Sequence, residues 1–476
     1  MAPQLALALT VLLIGYLLRR DSKEEPRPSI AVWIPLLWLM INGSRQVSQW
    51  FSGGGQVLSS QALADGSPVD KAVYGALIVA GVCVLARRRV RVGEIVKNNL
   101  PIVFFLLYEG LSVLWSDEHG IALKRWVKAL GDPVMVVVLW SDPFPLRAIT
   151  ATIKRCAYVL LPLSVLFVKY YEDLGRTFDP WGHSAYTGVT TDKNMWGYLL
   201  FAFGLFFAAA LMAGFKRNRD ERNPARIDQA INILFLFMIW WMVPIANSKT
   251  STIALVAGIA VLVVTRFATV RRHFWFYALP AILLVTVSDS LFSIKSSVLE
   301  ASGRDATFTG RTSLWETLLQ EPINPVIGVG YASFWLGERL ARFWAKYPTS
   351  PPIEAHNGYL EVYLNLGLIG LSLVAGVLWR GLSTTRKRMG ATLAVTTHNE
   401  RVLGTFGMAY GAAYLLYNWT EATFQGLNFL FVIFLILAFD YRHITEPAQG
   451  LSTPFRSVRW NGHVDKQPAK WTKSYR

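Results

Sequence analysis

Three side chains in this sequence are of the types that can hold an anion and manage a proton beside it: Lys249, Arg311 and His356. Each stands in a short polar stretch next to a long apolar one. Lys249 lies in Asn247-Ser248-Lys249-Thr250-Ser251, Arg311 in Thr309-Gly310-Arg311-Thr312, and His356 opens His356-Asn357-Gly358-Tyr359-Leu360-Glu361. A guanidinium reads a pyrophosphate with two parallel hydrogen bonds, and an ammonium meets it as a point charge. An imidazole with a pKa near ~6.5 can take a proton from an attacking hydroxyl at neutral pH. Glu354, two residues earlier, could orient that ring. Three further cations share the same pattern. Arg125 and Lys128 are one helical turn apart, and Arg176 precedes a Gly/Tyr/Thr-rich stretch that ends at Lys193-Asn194. Unpaired cations beside a bilayer are costly unless an anion or a water-filled cavity receives them.

Each residue also has a plainer role open to it. Arg125, Lys128 and Arg176 can snorkel to lipid headgroups. Arg311 can pair with Asp305. His356 can cap the helix that follows it. Glu361 falls in the first turns of that helix, where it can face the same cavity or bond the loop. Glu109, inside an apolar run, must face a bundle interior. Several signatures are missing from the sequence. No Asp-x-Asp lies where a metal-dependent sugar transferase would place one, and there is no P-loop and no Gly-x-Ser-x-Gly elbow. Cys83 and Cys156 sit at the edges of apolar runs, with no metal-ligand spacing around them. The expectation is chemistry without metal, cofactor or ATP, driven by the substrate or by a gradient.

The elements that must position these groups are apolar. Of 476 residues, 53% are hydrophobic and 16% charged, whereas soluble domains carry about 25% charged residues. Eighteen Trp residues, many at the ends of apolar runs, fit interfacial belts. The net charge of +16 is spread through short loops, which excludes a nucleic-acid-binding domain. About thirteen apolar runs approach the spanning length of roughly 17 to 25 residues. They centre near Leu12, Leu36, Ile78, Leu106, Val137, Leu161, Phe206, Met238, Ile259, Leu283, Ile369, Tyr410 and Ile433, the second and fifth being short. The fold expected is all-α, a polytopic membrane protein with about 12–13 transmembrane helices. No positive region precedes residues 4–18 and Arg19-Arg20 follows them, so this run reads as a first membrane helix with its N-terminus outside.

Loop charge sets the topology. Segments 19–29, 87–99, 141–155, 215–229, 266–273, 380–401 and 442–476 hold 32 of the 47 Lys and Arg residues, which assigns them to the cytoplasm. The other side then carries 43–71, 116–128, 169–194, 247–251, 295–357 and 418–425. Segment 295–357 is the longest, and loops of this length are usually functional. Helices are expected over Thr312–Leu319 and Tyr331–Phe343, with breaks at Thr309-Gly310 and Asn324-Pro325. Three divisions result: N-terminal helices over 1–99, a core over 100–440, and a disordered cytoplasmic tail over 441–476.

Three motifs together carry a resemblance. They are Gly303-Arg304-Asp305-x-Thr307-x-Thr309-Gly310-Arg311-Thr312-x-x-Trp315, Pro325-x-x-Gly328-x-Gly330-Tyr331, and His356-Asn357-Gly358-Tyr359-Leu360-Glu361. This set resembles the O-antigen ligase and polymerase family. Within it, the Thr-Gly-Arg-Thr turn and the Gly-Tyr-x-x-Phe-Trp continuation resemble the succinoglycan-type exopolysaccharide polymerases. Weaker matches are Leu114-Trp115-Ser116-Asp117, Lys193-Asn194 with Gly197, and Ser248-Lys249-Thr250, where the family usually has Arg in place of Lys249. The resemblance implies a GT-C-like inner-membrane glycosyltransferase that works on the periplasmic face without a metal. Its donor would be an undecaprenyl-pyrophosphate-linked oligosaccharide and its acceptor a glycan. A chain-length regulator and a flippase of the same pathway would be its protein partners, and membrane lipids would surround it. Arg311 and Lys249 would bind the pyrophosphate, and His356 would assist or orient the attacking hydroxyl. Arg125, Lys128, Arg176, Asn194, Arg304, Trp315, Asn357 and Glu361 would contact substrate. A polymerase is favoured over an O-antigen ligase acting on lipid A-core. A polysaccharide transporter or flippase and a non-catalytic scaffold are the readings from other classes.

Overall fold

The computed structural model describes residues 2–51, 66–178, 184–214, 224–267, 269–270, 273, 307–348, 351–391 and 397–440. Its longer helices are α1 (Pro3–Ser22), α2 (Trp33–Asn42), α3 (Pro68–Arg87), α4 (Leu100–Ser112), α5 (His119–Ala129), α6 (Gly131–Trp140), α7 (Pro145–Tyr170), α8 (Lys193–Gly214), α9 (Pro224–Ala246), α10 (Lys249–Val264), α11 (Thr307–Leu319), α12 (Gly337–Lys346), α13 (Gly358–Ala391), α14 (His398–Tyr417) and α15 (Phe429–Ala438). The strands among the described residues are β1 (Arg176–Phe178) and β2 (Ser184–Tyr186), an antiparallel pair that sets Arg176 opposite Tyr186. This is a polytopic helical membrane protein. Of the thirteen predicted run centres, Leu283 lies outside the described residues and the rest fall within helices. By length and composition, five described helices can cross a membrane, or six if the bent pair Val92–Asn98 and Leu100–Trp115 is one span. Several others, including Ile30–Asn42, Lys249–Val264 and Phe429–Ala438, are apolar but shorter.

Helices that are apolar all round must be buried or face lipid, and both kinds occur. The α8 helix packs against α9, α10 and α14 at the centre of the bundle. Its Phe201 ring stacks on Tyr410 at 5.5 Å and on Tyr417 at 5.7 Å. At the rim, α9 leaves Phe237 and Trp240 exposed, which suits lipid rather than water.

Segments assigned to one side by their charge do meet at one end of the bundle. Asp21 is buried against Arg147, Lys154 and Arg155, and all four belong to the segments read as cytoplasmic. The opposite end gathers residues from around 42, 192, 356 and 421. There the chain from α11 to the start of α13 builds a small core of its own, with Leu318, Phe334, Leu340, Phe343 and Leu364. Two expectations for this stretch are corrected. Thr309-Gly310 does not break the chain, because α11 begins at Thr307 and runs through both residues. The second helix begins at Gly337 rather than Tyr331, because Gly328, Gly330 and Ala332 adopt left-handed backbone.

The Pro325–Tyr331 motif has a structural purpose. Helix α13 is broken at Gly367, where φ is 64° and ψ is −163°. The freed backbone groups are taken up by the motif: Leu368 N–H donates to Pro325 O, Ile369 N–H to Val326 O, and Gly330 N–H to Asn365 O. Broken helices persist in membranes only where such groups are paired again. The approach is close enough to need glycine on both sides. A Cβ at Gly367 would stand 2.3 Å from the Val326 carbonyl group, and one at Gly328 would stand 2.5 Å from the Asn365 backbone.

Candidate active site

The loop carrying His356 is fixed from three directions. Trp315 of α11 donates its indole N–H to Ala355 O at 2.8 Å. Glu361 of α13 is partly buried and accepts from Ala355 N–H (2.8 Å), Trp335 Nε1 (3.0 Å) and Asn365 Nδ2 (3.0 Å). Asn357 caps α13 by accepting from the N–H groups of Tyr359 and Leu360, both at 3.0 Å. Gly358 N–H donates to Asn418 O at 2.8 Å, which ties this loop to the turn after α14. Between these restraints, His356 takes φ of 49°, a conformation unfavourable for a residue with a Cβ and held only by its surroundings.

The turn after α14 brings in Glu421, which the sequence reading passed over. Its side chain is only 6% exposed and lies between two cations. Arg311 Nη2 pairs with Glu421 Oε1 at 3.1 Å, and Arg311 Nη1 donates to Thr420 O at 2.7 Å. His356 Nδ1 stands 3.4 Å from Glu421 Oε2 and 2.8 Å from Glu354 Oε1. The Thr420 hydroxyl donates to Thr250 Oγ1 at 3.0 Å, which draws the start of α10, and with it Lys249, to the same turn. Lys249 is exposed and makes no ion pair or hydrogen bond with the described residues.

Burial alone would lower the His356 pKa, but hydrogen bonds to Glu354 and Glu421 and their charges push it up to about 10. The ring is therefore an imidazolium at neutral pH. That corrects the expectation of a neutral imidazole ready to accept a proton. With Nδ1 engaged by two carboxylates, Nε2 is the nitrogen left to donate to a ligand. Glu354 is the more exposed carboxylate, at 30%, and is the group placed to accept a proton.

Glu354, His356 and Glu421 line a cavity of about 470 Å³ whose wall also includes Asn42, Asp192, Asn194 and Tyr417, and Arg311 reaches it through Glu421. Asp192 accepts from Asn194 N–H at 2.8 Å and fixes the start of α8. Glu354, His356 and Glu421 each offer a ligand atom, all within 4.8 Å of one another, so the three could also hold a divalent cation. Such an ion would compete with Arg311, which already supplies positive charge to Glu421.

The other predicted site residues are dispersed. Arg125 donates to Ala332 O at 2.5 Å, and Lys128 lies over the Tyr74 ring at 5.4 Å. Arg176 pairs with Glu172 at 2.9 Å beside a separate cavity. Arg304 and Asp305 lie outside the described residues, and Arg311 takes Glu421 as its acidic partner. Trp315, Asn357 and Glu361 hold the loop, as given above. A further cavity of about 350 Å³ at the opposite end of the bundle is lined by Glu24, Arg147, Lys154 and Asp228. Its Arg147, Lys154 and Glu24 are paired with one another or with Asp21.

Comparison with known proteins bears on what this arrangement does. Residues 233–375 match a family profile described as O-Antigen ligase. The chain is also similar to the "Exopolysaccharide production protein ExoQ" of Rhizobium meliloti (strain 1021), with 24% identity over 310 residues. That match covers 61% of this chain and 66% of the relative, so it spans just under two thirds of the relative's length.

Proposed function

We propose that this chain, an O-antigen ligase/polymerase-like family member, is a polysaccharide polymerase that joins lipid-pyrophosphate-linked oligosaccharide repeat units. The observation that carries this reading is the Arg311–Glu421–His356–Glu354 cluster beside a cavity at one end of the bundle. Arg311 and the His356 imidazolium offer donors to a departing pyrophosphate, where negative charge develops. Lys249, next to Thr250 on the same turn, would add positive charge from the start of α10. The bond from the anomeric carbon to the pyrophosphate oxygen breaks as an acceptor hydroxyl attacks from the opposite face, so configuration inverts. The hydroxyl proton passes to a carboxylate, Glu354 being the more open. Release of the lipid pyrophosphate drives the reaction, and no metal takes part. The donor lipid is undecaprenyl pyrophosphate, and the site faces the periplasm from the inner membrane. The chain-length regulator and flippase of the same pathway are its protein partners.

The O-antigen ligase description of the matched family favours a second reading, transfer of the same donor to lipid A-core. The exopolysaccharide role in the relative's name favours the polymerase. The deciding experiment uses purified protein in lipid with the host's own lipid-linked repeat unit, following glycan length and free polyprenyl pyrophosphate together. A ladder of longer lipid-linked glycans with matching pyrophosphate release, lost in Arg311→Ala, is expected. Transfer only when lipid A-core is added would establish the ligase. No transfer in either case, from folded protein, would overturn both.

A further inference from the structure

A second cavity at the same end of the bundle, about 610 Å³, lies between the β1–β2 hairpin, the last turn of α7 and the facing ends of α8 and α9. Among the described residues, three cations line it, Lys169, Arg176 and Lys193, against the carboxylate of Glu172. Arg176 is held for recognition. Its Nη2 bonds Glu172 at 2.9 Å and the Tyr186 hydroxyl at 2.6 Å, and its guanidinium lies over the Tyr186 ring at 4.4 Å. Its Nε is buried and has no hydrogen-bond partner among the described residues, which leaves a donor that a bound anion can satisfy. The opposite wall is apolar, with Trp241, Pro244 and Ile245 of α9. On the same helix, Phe237 and Trp240 are exposed where lipid would lie. A ligand suited to both walls carries a phosphate at its head and an apolar tail that leaves toward the bilayer.

The two cavities flank one helix end. Lys193 lines this one, and the next residue, Asn194, lines the one that holds His356. We propose that this cavity is a second lipid-anion site, which holds the pyrophosphate of the acceptor lipid while the His356 cavity holds that of the donor. The proposal rests on the polymerase reading, in which both substrates are anchored in the membrane by polyprenyl pyrophosphates. The acceptor's pyrophosphate is retained through the reaction. Its site needs cations, and the lining supplies three.

The test counts bound copies of farnesyl pyrophosphate, a short soluble polyprenyl pyrophosphate, on the full chain in phosphatidylcholine nanodiscs by native mass spectrometry. Wild type is expected to bind two. Lys169→Gln with Lys193→Gln, both exposed and outside the core, should weaken one of the two by roughly ten-fold. Arg176→Ala should do the same, and Arg311→Ala should remove the other copy. One bound copy, lost in Arg311→Ala and indifferent to the lysines, would overturn the second site and leave the polymerase reading intact. One copy that depends on the lysines and not on Arg311 would uphold this cavity and overturn the donor site. Displacement by phosphatidylglycerol at equal concentration would make it a general headgroup site and overturn the assignment. Equal binding of inorganic pyrophosphate would do the same, by showing that the tail contributes nothing.

Discussion

Replacing Glu421 by Gln separates an imidazolium that anchors an anion from an imidazole that acts as a base. Glu421 touches both cations, Arg311 at 3.1 Å and His356 at 3.4 Å, and its side chain is 6% exposed. It is one of the two carboxylates that push the His356 pKa up to about 10. Removing it leaves Glu354 at 2.8 Å as the remaining partner, so the pKa should fall by roughly one to two pH units, each unit being about 1.4 kcal/mol of differential interaction. Folding raises this pKa, so the folded protein binds the proton more tightly than the unfolded chain. The stability gained is complete below about 6.5 and is lost as pH rises through about 10. A third of the His356 side chain reaches solvent, so screening keeps this contribution near ~1 kcal/mol. Histidine NMR across the alkaline range, with His356→Gln to assign the signal, reads the titration directly. Glycan elongation measured over the same range reads its consequence: activity should decline toward pH 10 in wild type and at a lower pH in Glu421→Gln. Titration of wild-type His356 near 6.5, with activity rising through that pH, would refute the reasoning and restore the neutral base.

Four other outcomes follow from the same contacts. Ala at Gly367 or at Gly328 must displace backbone that would lie 2.3 or 2.5 Å from the new Cβ, at a φ that already disfavours Ala; each should cost about 3 kcal/mol or more, seen as a lower melting temperature or loss of folded yield. Glu361→Gln places an amide N–H₂ where three donors converge, so it should cost about 1–3 kcal/mol and lower elongation through disorder of the His356 loop. EDTA should leave elongation unchanged; activity lost to EDTA and restored by a divalent cation would mean that Glu354, His356 and Glu421 bind metal. Lys249→Gln should weaken donor binding by roughly ten-fold, with no change in melting temperature, since Lys249 has no partner to lose among the described residues.

Arg311 and His356 were legible because their types are unusual at the edges of apolar runs and their motifs are dense. Glu421 was not, because it lies 110 residues from Arg311 and pairing over such a distance leaves no local pattern. One signal existed: Glu421 is the sole ionisable residue in the outer segment 418–425, and such residues warrant a partner. The motif around His356 could not be divided into chemistry and support by spacing alone. Trp315, Asn357 and Glu361 were expected to touch substrate; in the fold, Trp315 and Glu361 bond Ala355 beside the histidine and Asn357 caps the helix that follows it. The Pro325–Tyr331 motif was visible for the same reason, but its partner was hidden, since nothing before Gly367 in the sequence signals a break in a long apolar helix.

The charge at the site explains why the least conspicuous cation matters. Arg311 and the His356 imidazolium are balanced by Glu421 and Glu354, so the cluster carries no uncompensated charge of its own at the end of the bundle. That neutrality makes the arrangement tolerable beside a membrane, but it also means that these two cations are not surplus. A pyrophosphate arriving there must be met by charge from elsewhere or must release a carboxylate from its partner. Glu421 is held by Arg311 and buried, so it is poorly placed to leave. Glu354 is more open, pairs with the imidazole alone among the described residues, and can be neutralised by the proton that the attacking hydroxyl gives up. Lys249 supplies the other half. It is exposed, unpaired among the described residues, and adjacent to Thr250, which Thr420 ties to the turn that holds Glu421. An arginine there would find carboxylates to pair with more readily than a lysine does, since its fork matches them. Under the proposed reaction, a lysine at this position keeps one positive charge available for the ligand.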